Sequence, residues 1–151
     1  MATNLPLAEE PISRIAYQKP LCVETGTPLR DVVDRMRRDR AGSAFIVKEG
    51  RLLGIFTEGE YIGKVLSAGG TLEGPVDDFM RLPPRLLTPR DRIADAIRIM
   101  VRQDCRRLPL ADASGRVAGL LSVRDVIDYL VEHFPAEVLN LPPQIDQILG
   151  R

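Results

Sequence analysis

Two short stretches of the chain each place a hydroxyl three residues before an acid, at the point where a helix is predicted to begin. In GLLSVRD (119–125) these residues are Ser122 and Asp125, and in GIFTEGE (54–60) they are Thr57 and Glu60. A carboxylate accepts hydrogen bonds from hydroxyl groups, and the unpaired N–H groups at a helix start attract phosphate. Both stretches are therefore candidate ligand sites.

The same spacing is also that of a capping box, which needs no ligand. In that motif the hydroxyl accepts a hydrogen bond from the third helical N–H, and the acid accepts one from the N–H of the cap residue. TEGE fits the box well, whereas the Asp of SVRD is shorter than the Glu or Gln that the box prefers. Loss of such a cap costs about 1 kcal/mol, so selection for stability alone could retain both motifs. The motif by itself favours the interpretation as a helix cap over that as a ligand site.

The chain contains an internal repeat, which changes this balance. Residues 12–66 align with 76–131 when a single residue is inserted, and Gly54 then matches Gly119 while the two hydroxyls match each other. Agreement of glycines and apolar positions over the full length indicates a duplication. This context favours a ligand at Ser122 and Asp125 and leaves both interpretations open for the first motif.

Each repeat is predicted to follow the order strand, helix, strand, strand, helix. The strands are LCVE, SAFIV and RLLGIF in the first repeat and RLLT, RLPLA and RVAGLL in the second. Apolar residues at helical spacing predict the first helix of each repeat, and Thr27 is expected to cap the first one, with Pro28 in its first turn. The last helix of each repeat is expected to run from the motif to about Leu66 or His133.

This order predicts an α+β fold, a tandem repeat with two small sheets that pack together with pseudo-twofold symmetry. Packing is expected because a unit of about 60 residues buries too little surface to be stable alone, and it would leave a groove between the repeats. The predicted organisation is an N-terminal extension (1–11), a first repeat (12–67), a Gly-rich linker (68–75), a second repeat (76–134) and a C-terminal tail (135–151). The apolar residues of the tail are expected to lie on the module or on a second subunit.

Composition excludes several classes of protein. The 151 residues carry 21 Lys and Arg against 21 Asp and Glu, with 5% aromatic residues and no Trp, which argues against a nucleic-acid binder. The N-terminus does not resemble a secretory signal, and no apolar run reaches the length of about 20 residues that a membrane span requires. Cys22 and Cys105 are too few for a disulfide framework, so we expect reduced thiols and a cytoplasmic protein without membrane partners.

The sequence does not suggest an enzyme. His133 is the single histidine, so neither motif can use a histidine base, and there is no P-loop lysine between glycines and no metal-binding cluster. Carboxylate chemistry at Asp125 has no support beyond the acid itself. We therefore expect a binding module that is not catalytic.

The repeated pattern of a glycine, an apolar pair, Ser or Thr, two variable residues and an acid resembles the CBS-domain pair, or Bateman module. The resemblance covers residues 12–133. It implies a stand-alone regulatory module, a homodimer that binds AMP, ADP, ATP or S-adenosylmethionine between its repeats, without a metal cofactor, and signals to an effector protein. An alternative is a structural or dimerisation module with non-functional sites, which Glu60 in place of the usual Asp would allow.

The resemblance also implies two composite sites, in which each acid faces the strand starts of the other repeat. The first site comprises Ser122, Arg124 and Asp125 with Pro20, Leu21, Gly42, Ser43 and Ala44, and the second comprises Thr57 and Glu60 with Arg85, Leu86, Arg106, Arg107 and Leu108. We expect the first site to be the stronger one for AMP-like ligands, because it has the family's Asp and a wall of small residues. Arg106 and Arg107 would favour ligands with more phosphates at the second.

Overall fold

The computed structural model describes residues 9–136, and its elements follow the predicted α+β repeat except that the second repeat lacks its first strand. The elements are β1 (Cys22–Glu24), α1 (Leu29–Asp39), β2 (Ser43–Lys48), β3 (Arg51–Thr57), α2 (Glu58–Glu60), α3 (Ile93–Arg102), β4 (Arg107–Ala111), β5 (Val117–Ser122) and α4 (Val123–His133). Short 3₁₀ turns at Ile12–Arg14 and Val76–Asp78 open the two repeats. Within residues 9–136, no helix has both the length and the apolar character needed to cross a membrane. The predicted packing of the tail concerns residues that lie outside this described range.

The first repeat forms a three-stranded sheet in the order β1-β2-β3. Strand β1 pairs with β2 in parallel, and β2 pairs with β3 in antiparallel fashion, so that Ser43 lies opposite Thr57. Glu49 and Gly50 make the intervening turn with positive φ angles of 53° and 81°. This register places the start of β2 directly beside the hydroxyl of the first motif.

The second repeat has a smaller sheet, because the predicted strand RLLT is reduced to one bridge. Strands β4 and β5 pair, and Leu87 alone bridges to Leu110. In the first repeat, the N–H of Phe45 donates to the carbonyl of Leu21 at 2.8 Å, and the residue at the position of Phe45 in β4 is Pro109. Proline has no N–H to donate, so the parallel ladder cannot extend there.

The described chain forms two compact units, and each unit is discontinuous in sequence. One unit, which we call the Asp125 unit, contains the described residues up to Gln18, Pro84–Ala111 and those from Gly119 onward; the other, the Glu60 unit, contains Lys19–Pro83 and Asp112–Ala118. The segment that opens each repeat, residues 12–18 or 76–83, therefore belongs with the opposite repeat. Gln18 and Leu120 exchange two backbone hydrogen bonds of 2.9 Å within the Asp125 unit.

Each unit has its own apolar core, and the helices contribute the residues at helical spacing that the sequence indicated. The core of the Asp125 unit includes Ile12, Ile15, Leu87, Ile93, Ala96, Ile97, Met100, Leu108, Leu110 and Leu121. The core of the Glu60 unit includes Val23, Leu29, Val32, Met36, Ala44, Ile46, Phe56, Val65 and Val76. We call residues 12–18 and 76–83 the exchanged segments, because each belongs with the opposite repeat. Burial of Ile12 and Ile15 with the second repeat, and of Val76 with the first, anchors them.

The predicted cap of the first helix is wrong by one position. Helix α1 follows Pro28, which is its N-cap, and no side chain caps it. The hydroxyl of Thr27 instead donates to the carbonyl of Glu24 at 2.6 Å, while the carbonyl of Gly74 accepts from the N–H of Leu29 at 2.9 Å. A tertiary backbone contact thus replaces the expected side-chain cap.

The second helices of the two repeats differ in geometry. Helix α4 is a regular α-helix from the motif to His133, whereas α2 is α-helical over Glu58–Glu60 and continues as a π-helical segment over Tyr61–Leu66. Gly59 and Gly63 occupy this region, and glycine lowers the intrinsic preference for an α-helix by about 1 kcal/mol relative to alanine. The helix that follows the first motif is therefore the less regular of the two.

Candidate functional site

The second motif forms a complete capping box at the start of α4. The N–H of Asp125 donates to Ser122 Oγ at 3.1 Å, and the N–H of Ser122 donates to Asp125 Oδ2 at 2.9 Å. The short aspartate side chain reaches the cap residue, so our expectation that SVRD fits the box less well is wrong. The reciprocal hydrogen bonds fix the position of the carboxylate at the junction of β5 and α4.

The first motif also forms a capping box, and its acid is engaged more extensively. The N–H of Gly59 donates to Thr57 Oγ1 at 3.1 Å, and the N–H of Thr57 donates to Glu60 Oε2 at 2.9 Å. The hydroxyl of Thr57 contacts the same carboxylate oxygen. Glu60 is therefore held by both polar groups of one residue, as its ideal length for the box suggested.

A third residue, Gln18, joins the second motif. Its Nε2 lies 3.1 Å from both carboxylate oxygens of Asp125 and 3.5 Å from Ser122 Oγ. The backbone bridge between Gln18 and Leu120 holds the amide in this place. We call Gln18, Ser122 and Asp125 the Asp125 cluster. Gln18 is not among the predicted site residues, because nothing in the repeat pattern indicates that residues 12–18 pair with β5.

Arg81 occupies the corresponding place at the first motif. Its Nε lies 3.5 Å from Glu60 Oε1, and its backbone exchanges hydrogen bonds of 2.9 and 3.0 Å with Ile55. The Glu60 side chain is 11% exposed and that of Arg81 is 35% exposed. We call Arg81, Thr57 and Glu60 the Glu60 cluster. The two clusters have the same layout, but one partner of the acid is a neutral amide and the other is a cation.

The glycine of each motif, Gly54 in β3 and Gly119 in β5, lies where an exchanged segment packs closely against the strand. A Cβ on Gly119 would lie 2.9 Å from two ring carbons of Tyr17, and one on Gly54 would lie 2.3 Å from the sulfur of Met80. Real Cβ atoms do not approach other heavy atoms this closely, so these glycines are explained by packing. They permit the close approach that brings Gln18 and Arg81 to the acids.

The other predicted residues of the Glu60 unit cluster near its motif. The carbonyl of Gly42 accepts from the N–H of Glu58 at 3.3 Å, Ser43 lies opposite Thr57, and Ser43 and Ala44 are buried. Leu21 and Pro20 are half-buried at the start of β1. This unit thus brings the small-residue wall together with its own motif.

The Asp125 unit shows the same grouping. The carbonyl of Arg106 accepts from the N–H of Val123 at 2.9 Å, which places the start of β4 beside the second motif. Arg85, Arg106 and Arg124 are exposed, Leu86 and Arg107 are half-buried, and Leu108 is fully buried. Each predicted composite site takes its acid from one unit and its wall from the other, and that combination stays a prediction.

Other polar groups of the described chain offer less chemistry. No group of three His, Cys, Asp or Glu residues within positions 9–136 could hold a metal ion. The ring of His133 stacks on Tyr129 with centroids 4.3 Å apart, and its Nδ1 lies 3.1 Å from the carbonyl of that residue in the last turn of α4. Burial raises the pKa of the Cys22 thiol, which disfavours the reactive thiolate.

A cleft of about 370 Å³ lies in the Glu60 unit beside its motif. It is lined by Val33, Met36, Arg37, Arg40, Ala41, Phe56, Glu58 and Tyr61. The sequence indicated a solvated helix end for RMRRDR (35–40), and the structure places two of these arginines, Arg37 and Arg40, at the cleft. In the alignment of the repeats, Arg37 and Glu58 match the apolar Val101 and Val123, whereas Arg40 matches Asp104, so the two cations of the cleft lining belong to the first repeat alone.

Both repeats of the chain match the model of a known protein family. The family model for the CBS domain matches residues 12–67 and 76–132. A protein of Methanopyrus kandleri whose function is uncharacterised is 29% identical over 131 residues, which is 82% of this chain and 67% of that protein. An uncharacterised 17.7 kDa protein of Acidianus ambivalens is 25% identical over 122 residues, covering 80% of this chain and 73% of the relative.

Solved structures share the fold. A conserved protein from Pyrococcus horikoshii superposes with a TM-score of 0.71 at 20% identity, over 81% of this chain and 92% of the other. A CBS domain pair crystallised with 5′-methylthioadenosine and S-adenosyl-L-methionine superposes with a TM-score of 0.70 at 16% identity, over 80% of this chain and 99% of the other. At these identities the similarity establishes the fold.

Proposed function

Because the chain belongs to the CBS domain family, we propose that it is a non-catalytic regulatory module that binds an adenosyl ligand and passes its occupancy to an effector protein. The observation that carries this proposal is the Asp125 cluster. At the end of a strand it holds a carboxylate in one orientation, beside the start of an eleven-residue helix. A structurally similar CBS domain pair binds 5′-methylthioadenosine and S-adenosyl-L-methionine, which supports the same ligand class here.

The capping box supports ligand binding and does not compete with it. The N–H of Ser122 uses Oδ2 of Asp125, and Oδ1 accepts only from Gln18, so Oδ1 keeps one acceptor direction for a ligand. Holding the side chain in place before binding lowers the entropy that a ligand must overcome. A single carboxylate can therefore both stabilise α4 and receive a ribose hydroxyl.

The proposed sites are the composite ones that the sequence suggested. In the first, Asp125 takes the ribose, Ser122 and Arg124 approach the phosphates, and residues 20–21 and 42–44 frame the adenine. In the second, Glu60 and Thr57 take the same roles opposite residues 85–86 and 106–108. The proposed ligands are AMP, ADP, ATP or S-adenosylmethionine, and no metal cofactor is required.

We propose that the module is a cytoplasmic homodimer whose contacts are made by the second helices. Ile62 and Leu66 are 62% and 52% exposed, and their counterparts Ile127 and Val131 are each 51% exposed. Residues four apart share a helix face, so each unit presents an apolar pair at the same place. Exposed apolar residues at matched positions of both repeats suit a twofold contact.

A second candidate function is an interaction module without ligands, and the Glu60 cluster favours it for the first motif. Its acid is already engaged by Thr57 and by a cation, so a ribose would have to displace existing contacts. Under this alternative both motifs serve only as helix caps. The chain would then act through its apolar helix faces alone.

Thermal unfolding with a panel of ATP, ADP, AMP, S-adenosylmethionine and NADH separates the two functions. A ligand at a hundred times its dissociation constant stabilises the folded state by about 2.7 kcal/mol. For a chain of this size the midpoint should rise by about 5–10 °C. Absence of any shift with every adenosyl compound at millimolar concentration would support the interaction module and exclude the proposed function.

A further inference from the structure

We propose that Gln18 is a ligand-binding residue of the Asp125 cluster, where its amide oxygen supplies the second acceptor for a ribose diol. The inference rests on the proposed function and names the residue that selects the sugar. Gln18 lies at the start of the chain, 107 residues from Asp125, and reaches the cluster because its segment pairs with β5.

The chemistry of the two groups fixes the orientation of the amide. An ionised carboxylate only accepts hydrogen bonds, so the NH₂ of Gln18 must face Asp125 and its oxygen, Oε1, must face away from the carboxylate. In the described part of the chain Oε1 accepts no hydrogen bond, and the Gln18 side chain is exposed. An acceptor is therefore held in place and open to a ligand.

Asp125 alone offers too few acceptors for a diol. Its Oδ2 accepts from the N–H of Ser122 and from Gln18, while its Oδ1 accepts only from Gln18. Each carboxylate oxygen has about two acceptor directions, so one direction on Oδ1 remains. A ribose diol has two hydroxyl donors. Oδ1 can take one, and Oε1 of the adjoining amide can take the other without breaking any contact in the cluster.

The Glu60 cluster lacks this second acceptor. Arg81 stands where Gln18 stands, and a guanidinium donates hydrogen bonds but cannot accept them. Glu60 keeps its contacts to Thr57 and leaves no neighbouring oxygen of the Gln18 kind. Recognition of both ribose hydroxyls is therefore a property of the Asp125 cluster, and the Glu60 cluster tolerates a deoxyribose.

Titration calorimetry of the full chain with adenosine, 2′-deoxyadenosine and 3′-deoxyadenosine tests the inference. Loss of a hydroxyl that has a partner weakens binding by about tenfold, so both deoxynucleosides should bind the wild-type cluster that much more weakly. Gln18→Met removes both amide atoms from a side chain of similar length. In this variant one deoxynucleoside should bind as well as adenosine does, and the other should keep its tenfold penalty from Asp125.

Three further variants sharpen the result. Gln18→Arg copies the Glu60 cluster and should remove the same penalty as Gln18→Met. Gln103→Met changes an exposed glutamine at the C-terminal end of α3, outside the Asp125 cluster, and it should leave both penalties unchanged. Asp125→Ala titrations give the contribution of any site that does not use this cluster.

Two results would overturn the inference. Retention of both wild-type penalties in Gln18→Met would show that the amide does not contact the sugar. Failure of adenosine to bind the wild-type chain at millimolar concentration would also refute it, while stabilisation by a larger adenosyl ligand in the thermal panel would leave the proposed function standing. If no adenosyl compound binds at all, both proposals fail together.

Discussion

Arg81 holds its Nε 3.5 Å from Oε1 of Glu60, and that nitrogen is buried without a hydrogen-bond partner among the described residues. Glu60 therefore both caps α2 and neutralises the charge of Arg81. In the Asp125 cluster the acid faces a neutral amide instead. Removal of Glu60 and removal of Asp125 should therefore change the free energy of unfolding by different amounts.

We predict that Glu60→Ala destabilises the chain more than Asp125→Ala does. Each substitution loses a cap worth about 1 kcal/mol, but only the first leaves the Arg81 guanidinium beside a vacated site. Because Arg81 is 35% exposed, solvent screening limits the additional loss to about 1 kcal/mol. Urea unfolding measures both variants, and the double variant Glu60→Ala/Arg81→Met should recover the additional loss. Equal costs for the two single variants would show that the ion pair contributes nothing.

We predict that Asp125→Ala weakens binding of the best adenosyl ligand by at least about tenfold while the fold remains intact. The reason is the loss of the charged acceptor for the ribose, since hydrogen bonds to charged groups contribute about 1.5–3 kcal/mol. Calorimetry measures the affinity, and Asp128→Ala, an exposed acid one turn further along α4, is the matched control. If stability falls by about 1 kcal/mol and affinity does not change, the motif is only a helix cap.

We predict that Ile62→Glu and Ile127→Glu each weaken the homodimer. A charge on an apolar helix face loses its hydration when a second copy packs on it. Sedimentation at micromolar concentration should show the wild-type chain at twice the 16.8 kDa of one protomer. Leu82→Glu, at a residue that is 85% exposed outside these helices, controls for the added charge. A wild-type chain that sediments as a single protomer refutes the dimer.

Substitution of the motif glycines should cost stability in proportion to the space around them. Gly54→Ala places a Cβ against both Met80 and the carbonyl of Arg81, at 2.3 and 3.1 Å, so we expect a loss of about 1–3 kcal/mol. Gly119→Ala should cost less, because Tyr17 is 40% exposed and its ring can move. Gly63→Ala meets nothing within 4 Å and should be neutral or stabilising. Thermal unfolding of the three variants gives the order.

Asp77 should make the stability of the Glu60 unit depend on pH. The hydroxyl of Thr25 donates to its carboxylate at 2.5 Å and the N–H of Gly26 donates at 2.7 Å, and these hydrogen bonds hold the pKa of Asp77 below its ordinary value of 3.8. A carboxyl whose pKa is lower in the folded state stabilises the fold above the unfolded pKa. That contribution is lost as the pH falls through the folded pKa.

The test of this prediction is the variant Asp77→Asn, with Asp78→Asn as its exposed neighbour control. Urea unfolding at pH 7 should show a lower free energy of unfolding for Asp77→Asn than for the wild type. The gap should close as the pH falls below about 3.8, the ordinary pKa of an aspartate. A gap that is constant with pH would mean that Asp77 acts by packing.

The local features of the fold were predictable because they depend on neighbours in sequence. The helices over 29–39, 93–102 and 123–133 follow from apolar spacing, and both motifs begin helices as expected. The exceptions arise from single residues and from tertiary contacts. Pro109 removes the donor that would complete a strand with RLLT, and the carbonyl of Gly74 supplies the contact that made a Thr27 cap unnecessary.

The partners of the two acids were not predictable for the same reason. The alignment of the repeats pairs positions along the chain, and it contains no signal that residues 12–18 belong with the second repeat. Gln18 and Arg81 occupy equivalent bridges, to Leu120 and Ile55, but they are not identical in type. A repeat pattern based on residue type therefore does not include Gln18 and Arg81, whereas the backbone pairing identifies both.

The exchange of starting segments also constrains how the chain folds as it leaves the ribosome. The hydrogen bond between Gln18 and Asp125 closes a loop of 107 residues, and Ile12 and Ile15 are buried in a core whose other residues come from the second repeat. Contacts between residues far apart in sequence slow folding, because the entropy of loop closure is lost before the contact forms. A nascent first repeat has neither its Val76 anchor nor its Arg81 bridge until residues 76–81 have emerged. The first repeat can therefore complete its fold only after synthesis of the second repeat has begun. A chain that ends at the linker would lack part of the apolar core of the Glu60 unit.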